Sequence, residues 1–154
     1  KPVQLMGNGL ILRTNIVGWT QESGTSFAEW ILKGLIDGTP LNLFYDVDFS
    51  PLHINDLSLI IERIIERPIF GLYNCTSNGS ISKYDFGVQM AKIFDLSNLN
   101  INRVSIEDMN FKADRPKNMA LNSAKLADKL KYDIPNVIDS IFYIKNQYDA
   151  QFKN

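Results

Sequence analysis

Cysteine and histidine are almost missing from this chain: Cys75 and His53 are the only ones in 154 residues. One of each cannot build the four-ligand site of structural zinc, and a lone cysteine forms no disulfide framework. An excess of charge of either sign is also missing. Sixteen Lys and Arg face 17 Asp and Glu, a formal net charge of −1. That leaves no global field to gather phosphate backbones or anionic lipid, so nucleic acid is not an expected partner. No run approaches the roughly 18 consecutive apolar residues of a membrane span, and the opening Lys1-Pro2-Val3-Gln4 does not resemble a signal peptide. The expectations are no membrane partner and a cytoplasmic location. An initiator Met is absent too, and the chain opens only a few residues before its first strand, so it reads as a fragment of a longer protein.

What is present is globular: 45% apolar, 11% aromatic and 21% charged residues, enough for one hydrophobic core and too short for two full-sized domains. The near-continuous apolar run from Leu10 to Val17 suits a strand buried on both faces, broken by Gly18. Polar Gln21 to Thr25 reads as a loop. Ser26 then caps a helix carrying Phe27, Trp30, Ile31 and Leu35, stopped by Gly38 and Pro40. A short strand is expected over Leu41 to Tyr45, followed by an irregular, apolar-studded segment from Asp46 to Ile54. Asn55 is the expected cap of the next helix, with Leu57, Ile60, Ile61, Ile64 and Ile65 on one broad apolar face and Pro68 at its end. Phe70 to Cys75 reads as a strand, Ser82-Lys83-Tyr84-Asp85 as a capping box opening a helix to about Phe94, and Ile101 to Ile106 as a strand near an edge. Asn110 to Leu121 is polar and loop-like, and two short helices are expected from near Ser123 and Asn136. This alternation predicts a mixed α/β domain.

Few motifs carry chemistry. Gly7-Asn8-Gly9 has Leu at position 12 and leads into a strand, whereas a phosphate-binding glycine turn must feed a helix N-terminus; it is read as a turn. Asp46-Val47-Asp48 resembles the acidic pair with which some glycosyltransferases hold a metal-bound sugar nucleotide, but two loop acids are more often solvated, and no metal is expected. His53, without a second histidine, suits structural hydrogen bonding better than catalysis. Cys75, in an apolar strand with no basic neighbour, is expected to be an inert core thiol. Arg13 and Arg115 could each grip a phosphate by a bidentate fork, but only Arg115, before Pro116, lies in a segment free enough to reach into a cleft.

Five landmarks follow one another in a telling order: Leu12-Arg13-Thr14-Asn15-Ile16-Val17-Gly18-Trp19, then Ser26-Phe27, then Asp46 through Asp56-Leu57, then Gly71-Leu72-Tyr73-Asn74, then Arg115-Pro116 with Leu121-Asn122-Ser123-Ala124-Lys125-Leu126. In that order they resemble the dTDP-4-dehydrorhamnose reductase group of the extended short-chain dehydrogenase/reductases, over nearly the whole chain and only in the later part of such enzymes. The resemblance implies an α/β fold that is the C-terminal portion of an extended short-chain dehydrogenase/reductase, mixed strands and helices with the N-terminal Rossmann half missing. Residues 1–20 would be the last part of the Rossmann-type half and residues 21–154 the substrate-binding domain. Val17-Gly18-Trp19 stands where relatives usually have Val-Tyr-Gly, and Ser26 where they often have Asn. These departures touch the nicotinamide-side wall and a polar contact to the sugar or diphosphate.

By the same resemblance, the parent enzyme moves a hydride from NAD(P)H to a ketone on a nucleotide sugar, with a Tyr-x-x-x-Lys pair giving the proton. None of the six tyrosines here is followed four residues later by Lys, and no glycine is followed three residues later by another. No catalytic residue is therefore expected in this chain, and no cofactor in the fragment; NAD(P)H belongs mainly to the missing half. Implied partners are a nucleotide sugar, the missing N-terminal half and, as an assembly the resemblance allows, a second copy in a homodimer. The implied substrate-binding residues are Asn15 and Trp19 near the sugar, Ser26 and Phe27 at a helix start near the diphosphate, Ser50, Pro51 and His53 on the loop facing the cleft, and Arg115 on phosphate. Two alternatives share the architecture: a non-catalytic regulatory or binding member, and a related nucleotide-sugar epimerase or dehydratase.

Overall fold

In the computed structural model, which describes residues 7–20, 26–97 and 100–152, all but one of the strand pairings are parallel. Parallel partners need a crossover connection, and here each such pair is separated in sequence by at least one helix. The chain runs β1 (Leu10–Arg13), β2 (Ile16–Val17), α1 (Phe27–Asp37), β3 (Leu41–Phe44), β4 (Asp48–Phe49), β5 (Leu52–His53), α2 (Ile54–Glu66) and β6 (Gly71–Asn74). It continues through β7 (Ile81–Ser82), α3 (Lys83–Ile93), β8 (Ile101–Val104), β9 (Asn118–Met119), α4 (Ala124–Leu130) and α5 (Val137–Phe152). Three two-stranded parallel pairs, β1 with β6, β2 with β5 and β3 with β8, stand beside a three-stranded sheet ordered β7-β4-β9. The mixed α/β class is as expected.

Four local expectations are corrected. The run from Leu10 to Val17 is two strands, because Arg13 O accepts the Cys75 N–H at 2.7 Å while Asn15 O accepts the Leu52 N–H at 2.8 Å, two residues with two different partners. Helix α2 starts at Ile54 with His53 as its N-cap, the imidazole Nδ1 taking the Asn55 N–H, so Asn55 lies inside the helix. Ser82 caps α3 through the Asp85 N–H, yet the Asp85 carboxylate takes the Ser82 hydroxyl, so the reciprocal half of the capping box is not made. Helix α5 is not short: it runs 16 residues, opened by Asn136 and Asp139, which exchange side-chain-to-backbone hydrogen bonds. The loop expected over residues 21–25 lies outside the described residues. Helix α1 is as expected, with Ser26 and Glu29 forming a full capping box and Gly38 ending it in the left-handed conformation.

The apolar side chains gather into two clusters. The larger one joins α1, β3, α3 and α5 around Phe86, Leu32, Leu41, Leu43, Met90 and Ile141. A Cβ on Gly34 would collide with Leu41 and one on Gly87 with Leu43, so these two glycines let helix and strand approach closely. The smaller cluster joins α2, β6 and α4 around Ile60, Tyr73, Cys75 and Leu126. Cys75 is fully buried there, and desolvation pushes its thiol up to about 11, the inert state expected of it. No helix among the described residues is long and apolar enough to cross a membrane.

Candidate functional site

The parallel pair β2–β5 is the seam between the two clusters, since Val17 belongs to the larger and Leu52 to the smaller. Its polar groups are tied to distant segments. Asn15 Oδ1 accepts the Ser50 N–H at 3.2 Å, and the fully buried Ser50 hydroxyl both donates to Leu121 O and accepts the Leu121 N–H. Ser140, on α5, donates its hydroxyl to Pro51 O and accepts the His53 N–H. The His53 ring is buried and stacks on Tyr143 with centroids 5.4 Å apart. Because Nδ1 accepts from Asn55, the ring proton sits on Nε2 and faces Gln147 Oε1 at 3.0 Å. Burial holds the imidazole pKa below its ordinary value, with the Gln147 bond opposing.

The turn after β2 folds back onto this seam. Gly18 O accepts the Ser26 hydroxyl at 2.8 Å, and Glu29 gathers the Thr20 N–H, the Thr20 hydroxyl and the Ser26 N–H. Burial would raise the Glu29 carboxyl, but these hydrogen bonds outweigh it and hold the pKa low. The Trp19 indole donates to Ile144 O at 3.1 Å, anchoring the turn to α5. Phe27 begins α1 and meets Phe49 edge-on at 5.7 Å and Phe86 at 5.8 Å. Phe49 immediately precedes Ser50, so the segment at 26–27 touches the segment at 49–53.

Seven of the eight residues singled out from the sequence (Asn15, Trp19, Ser26, Phe27, Ser50, Pro51 and His53) thus fall along one connected run. His53 and Ser50 spend their hydrogen bonds within the protein. Among the described residues, Asn15 Nδ2 makes only a long 3.5 Å contact to Thr14 O. Arg115 is set apart: it lies in the exposed loop 109–117 with its guanidinium 4.9 Å from the Phe111 ring centroid. That loop is moored to the run through β9, which pairs with β4, and through the Asp48 N–H bond to Lys117 O.

Asp46 is occupied otherwise than the acidic-pair motif suggested. Its carboxylate accepts the Ser105 hydroxyl at 2.7 Å and the Ile106 N–H at 2.9 Å, and pairs with Lys117 at 3.3 Å. Burial raises its pKa and these contacts more than reverse that, so it stays ionised as a loop clamp. Among the described residues no cluster of His, Cys, Asp and Glu could hold a metal ion. One side chain escaped the sequence reading: Lys83, assigned there only to a helix start, lies with Nζ 4.0 Å from the Phe27 centroid and 4.3 Å from that of Phe49. The signal for it was a cation in the first turn of a helix, where the macrodipole disfavours positive charge.

Parallel strand pairs linked through helices, with polar residues gathered at a seam between them, define a mixed α/β domain. The family described as RmlD substrate binding domain matches residues 3–146, and the chain belongs to that family. The Haloferax volcanii protein named "Probable low-salt glycan biosynthesis reductase Agl14" is 21% identical over 138 residues, which are 87% of this chain and 46% of the relative. The dTDP-4-dehydrorhamnose reductase of Bacillus anthracis, in complex with NADP, superposes with a TM-score of 0.78 at 20% identity, covering 90% of this chain and 48% of the other. The Yersinia enterocolitica dTDP-4-dehydrorhamnose reductase gives 0.79 at 18% identity, with 90% and 49% covered. A Bacillus anthracis dTDP-glucose 4,6-dehydratase with NAD gives 0.72 at 15%, with 94% and 45% covered. The fold is therefore common to reductase and dehydratase, and the chain spans about half the length of the relatives it matches.

Proposed function

We propose that this chain is the substrate-binding part of an NAD(P)H-dependent sugar-nucleotide reductase, with residues 1–20 closing a Rossmann-type half and residues 21–154 gripping a nucleotide sugar. Membership of the substrate-binding-domain family over residues 3–146 carries the reading. The connected run through Asn15, Trp19, Ser26, Phe27, Ser50, Pro51 and His53 supports it, because hydrogen bonds fix the backbone on which a ligand would be oriented. In this reading Asn15 Nδ2 is the donor left for the sugar, the helix start at Ser26 and Phe27 faces the diphosphate, His53 and Ser50 stiffen the loop behind it, and Arg115 closes on a phosphate from the exposed loop.

Gly7-Asn8-Gly9 leads into β1 and not into a helix N-terminus, so it offers no cradle of free N–H groups to a pyrophosphate. In this reading NAD(P)H is held mainly by the rest of the parent, and the hydride and proton steps are assigned there. Its work is to place the ketosugar and hold its phosphates. A cytoplasmic, homodimeric parent goes with this reading.

The test is Arg115→Ala in the parent enzyme. Loss of a charge-assisted hydrogen bond should weaken dTDP or UDP binding roughly ten- to a hundred-fold in a calorimetric titration, with NADPH affinity unchanged. A variant that loses thermal stability yet binds the nucleoside diphosphate as before would overturn the role of Arg115.

A further inference from the structure

Lys83 follows the Ser82 cap at the start of α3, half-buried, with its ammonium against the rings of Phe27 and Phe49. The ion pairs formed among the described residues, those of Lys117 and Lys145, leave it without a carboxylate. Packing alone does not account for an amine at this position. A methionine would fill the same space between two rings without desolvating a charge, and burial indeed holds the Lys83 pKa below its ordinary value. The helix start adds a second unfavourable contribution, because its partial positive charge repels an ammonium. The two ring faces offset part of the cost. An anion lying beside Nζ would offset both remaining costs, because it is attracted by the ammonium and by the helix start alike.

Where that anion would sit follows from the rings. Phe27 belongs to the segment at 26–27 and Phe49 adjoins Ser50 and Pro51, so the ammonium lies between the two segments proposed above to face the nucleotide sugar. We infer that Lys83 is a phosphate-contacting residue of this site, its ammonium reaching the diphosphate of the nucleotide sugar from between Phe27 and Phe49. The inference rests on the proposed function and adds to it a second cation beside Arg115.

The experiment compares wild type, Lys83→Met, Lys83→Arg and Arg115→Ala in the parent enzyme, titrated with dTDP, UDP and GDP, following the one that wild type binds most tightly. Lys83→Met should weaken binding about tenfold or more, while Lys83→Arg stays close to wild type. The thermal midpoint of Lys83→Met should equal or exceed that of wild type, since the substitution removes a desolvated cation and keeps the packing. If Lys83→Met binds as wild type does while Arg115→Ala is weakened, the inference falls and the nucleotide-sugar reading stands. If wild type binds none of the three, both fall together.

Discussion

The two hydrophobic clusters are built to different standards. In the larger, helices α1 and α3 pack on β3 and on each other with α5 against α3, Phe86 is fully buried and meets the rings of Phe27 and Phe49, and two glycines remove the Cβ atoms that would hold helix and strand apart. The smaller rests on the pair β1–β6 and on Leu52 of β5, with α2 and α4, and its flank is unfinished. Ile54, Ile61 and Ile65 recur on one side of α2 at helical spacing, Ile65 is 73% exposed, and Phe70, four residues past the end of α2, is 54% exposed. Both clusters leave apolar side chains at their outer flanks: Ile36 on α1 and Phe142 on α5 are each 50% exposed beside the larger, but Ile65 beside the smaller is the most exposed of these. Apart from Arg115, several polar residues of the proposed site occupy the seam, where Asn15, Ser50 and His53 hydrogen-bond across to other segments. A ligand gripped there would be held by groups fixed from both sides.

The largest expected effect tests the asymmetry directly. Phe86→Ala should cost about 3–5 kcal/mol in urea unfolding, because an enclosed aromatic leaves a cavity that rigid neighbours cannot fill. Leu126→Ala, in the thinner cluster, should cost only about 2–3 kcal/mol, since its surroundings can relax. Equal losses would break the comparison. Next in size, Gly34→Ala should lose about 1–3 kcal/mol by overpacking Leu41, read as a lower thermal midpoint. An unchanged midpoint would show that α1 and β3 can separate freely.

A smaller effect belongs to the seam. His53 is the only histidine, so the side-chain titration expected between about pH 5 and 7 is its own. Its folded pKa lies below the unfolded value, so the unfolded state binds more protons in that window. Its contribution to stability is complete above the unfolded pKa and is lost as pH falls towards the folded one. Asp56, three residues on, has its pKa raised by burial and by Asp139, which gives the opposite slope at lower pH: stability contributed there is lost as pH rises through its folded pKa. The thermal midpoint should therefore drop from pH 7 to pH 5 in wild type and stay flatter in His53→Gln. Smallest of all, Ile65→Lys should move the stability of the isolated chain by less than about 0.5 kcal/mol, because this side chain packs on little. A larger loss would mean that α2 is better covered than its exposure indicates.

Much of the larger cluster was legible in the sequence, and the reason is local. Ser26, Gly38 and the spacing of Phe27, Ile31 and Leu35 mark α1 within its own residues, and Ser82 does the same for α3. What was not legible depends on distant partners. Nothing in Leu10 to Val17 says that Asn15 will turn the chain to a second strand, because Leu52 and Ser50 decide it. Strands β4, β5, β7 and β9 are two residues long, too short for any period to show. His53 as a cap was hidden by a better-looking Asn55. The positions along the proposed site could be named from order alone; that Lys83 lies between two of them could not, since Phe27 and Phe49 are far apart in sequence and meet only in the fold.

The bond from the Trp19 indole to Ile144 O also gives the molecule a built-in optical reporter. Trp19 and Trp30 are its two tryptophans. Trp30 is 43% exposed and is expected to emit as a partly solvated indole, whereas Trp19 is fastened at the turn that leads into Ser26 and Phe27. Replacing Trp30 by Phe leaves one emitter, seated at the rim of the seam and coupled to α5. Any ligand that reorders the turn changes the colour and intensity of that emission, so occupancy can be followed without a dye, a cofactor or turnover.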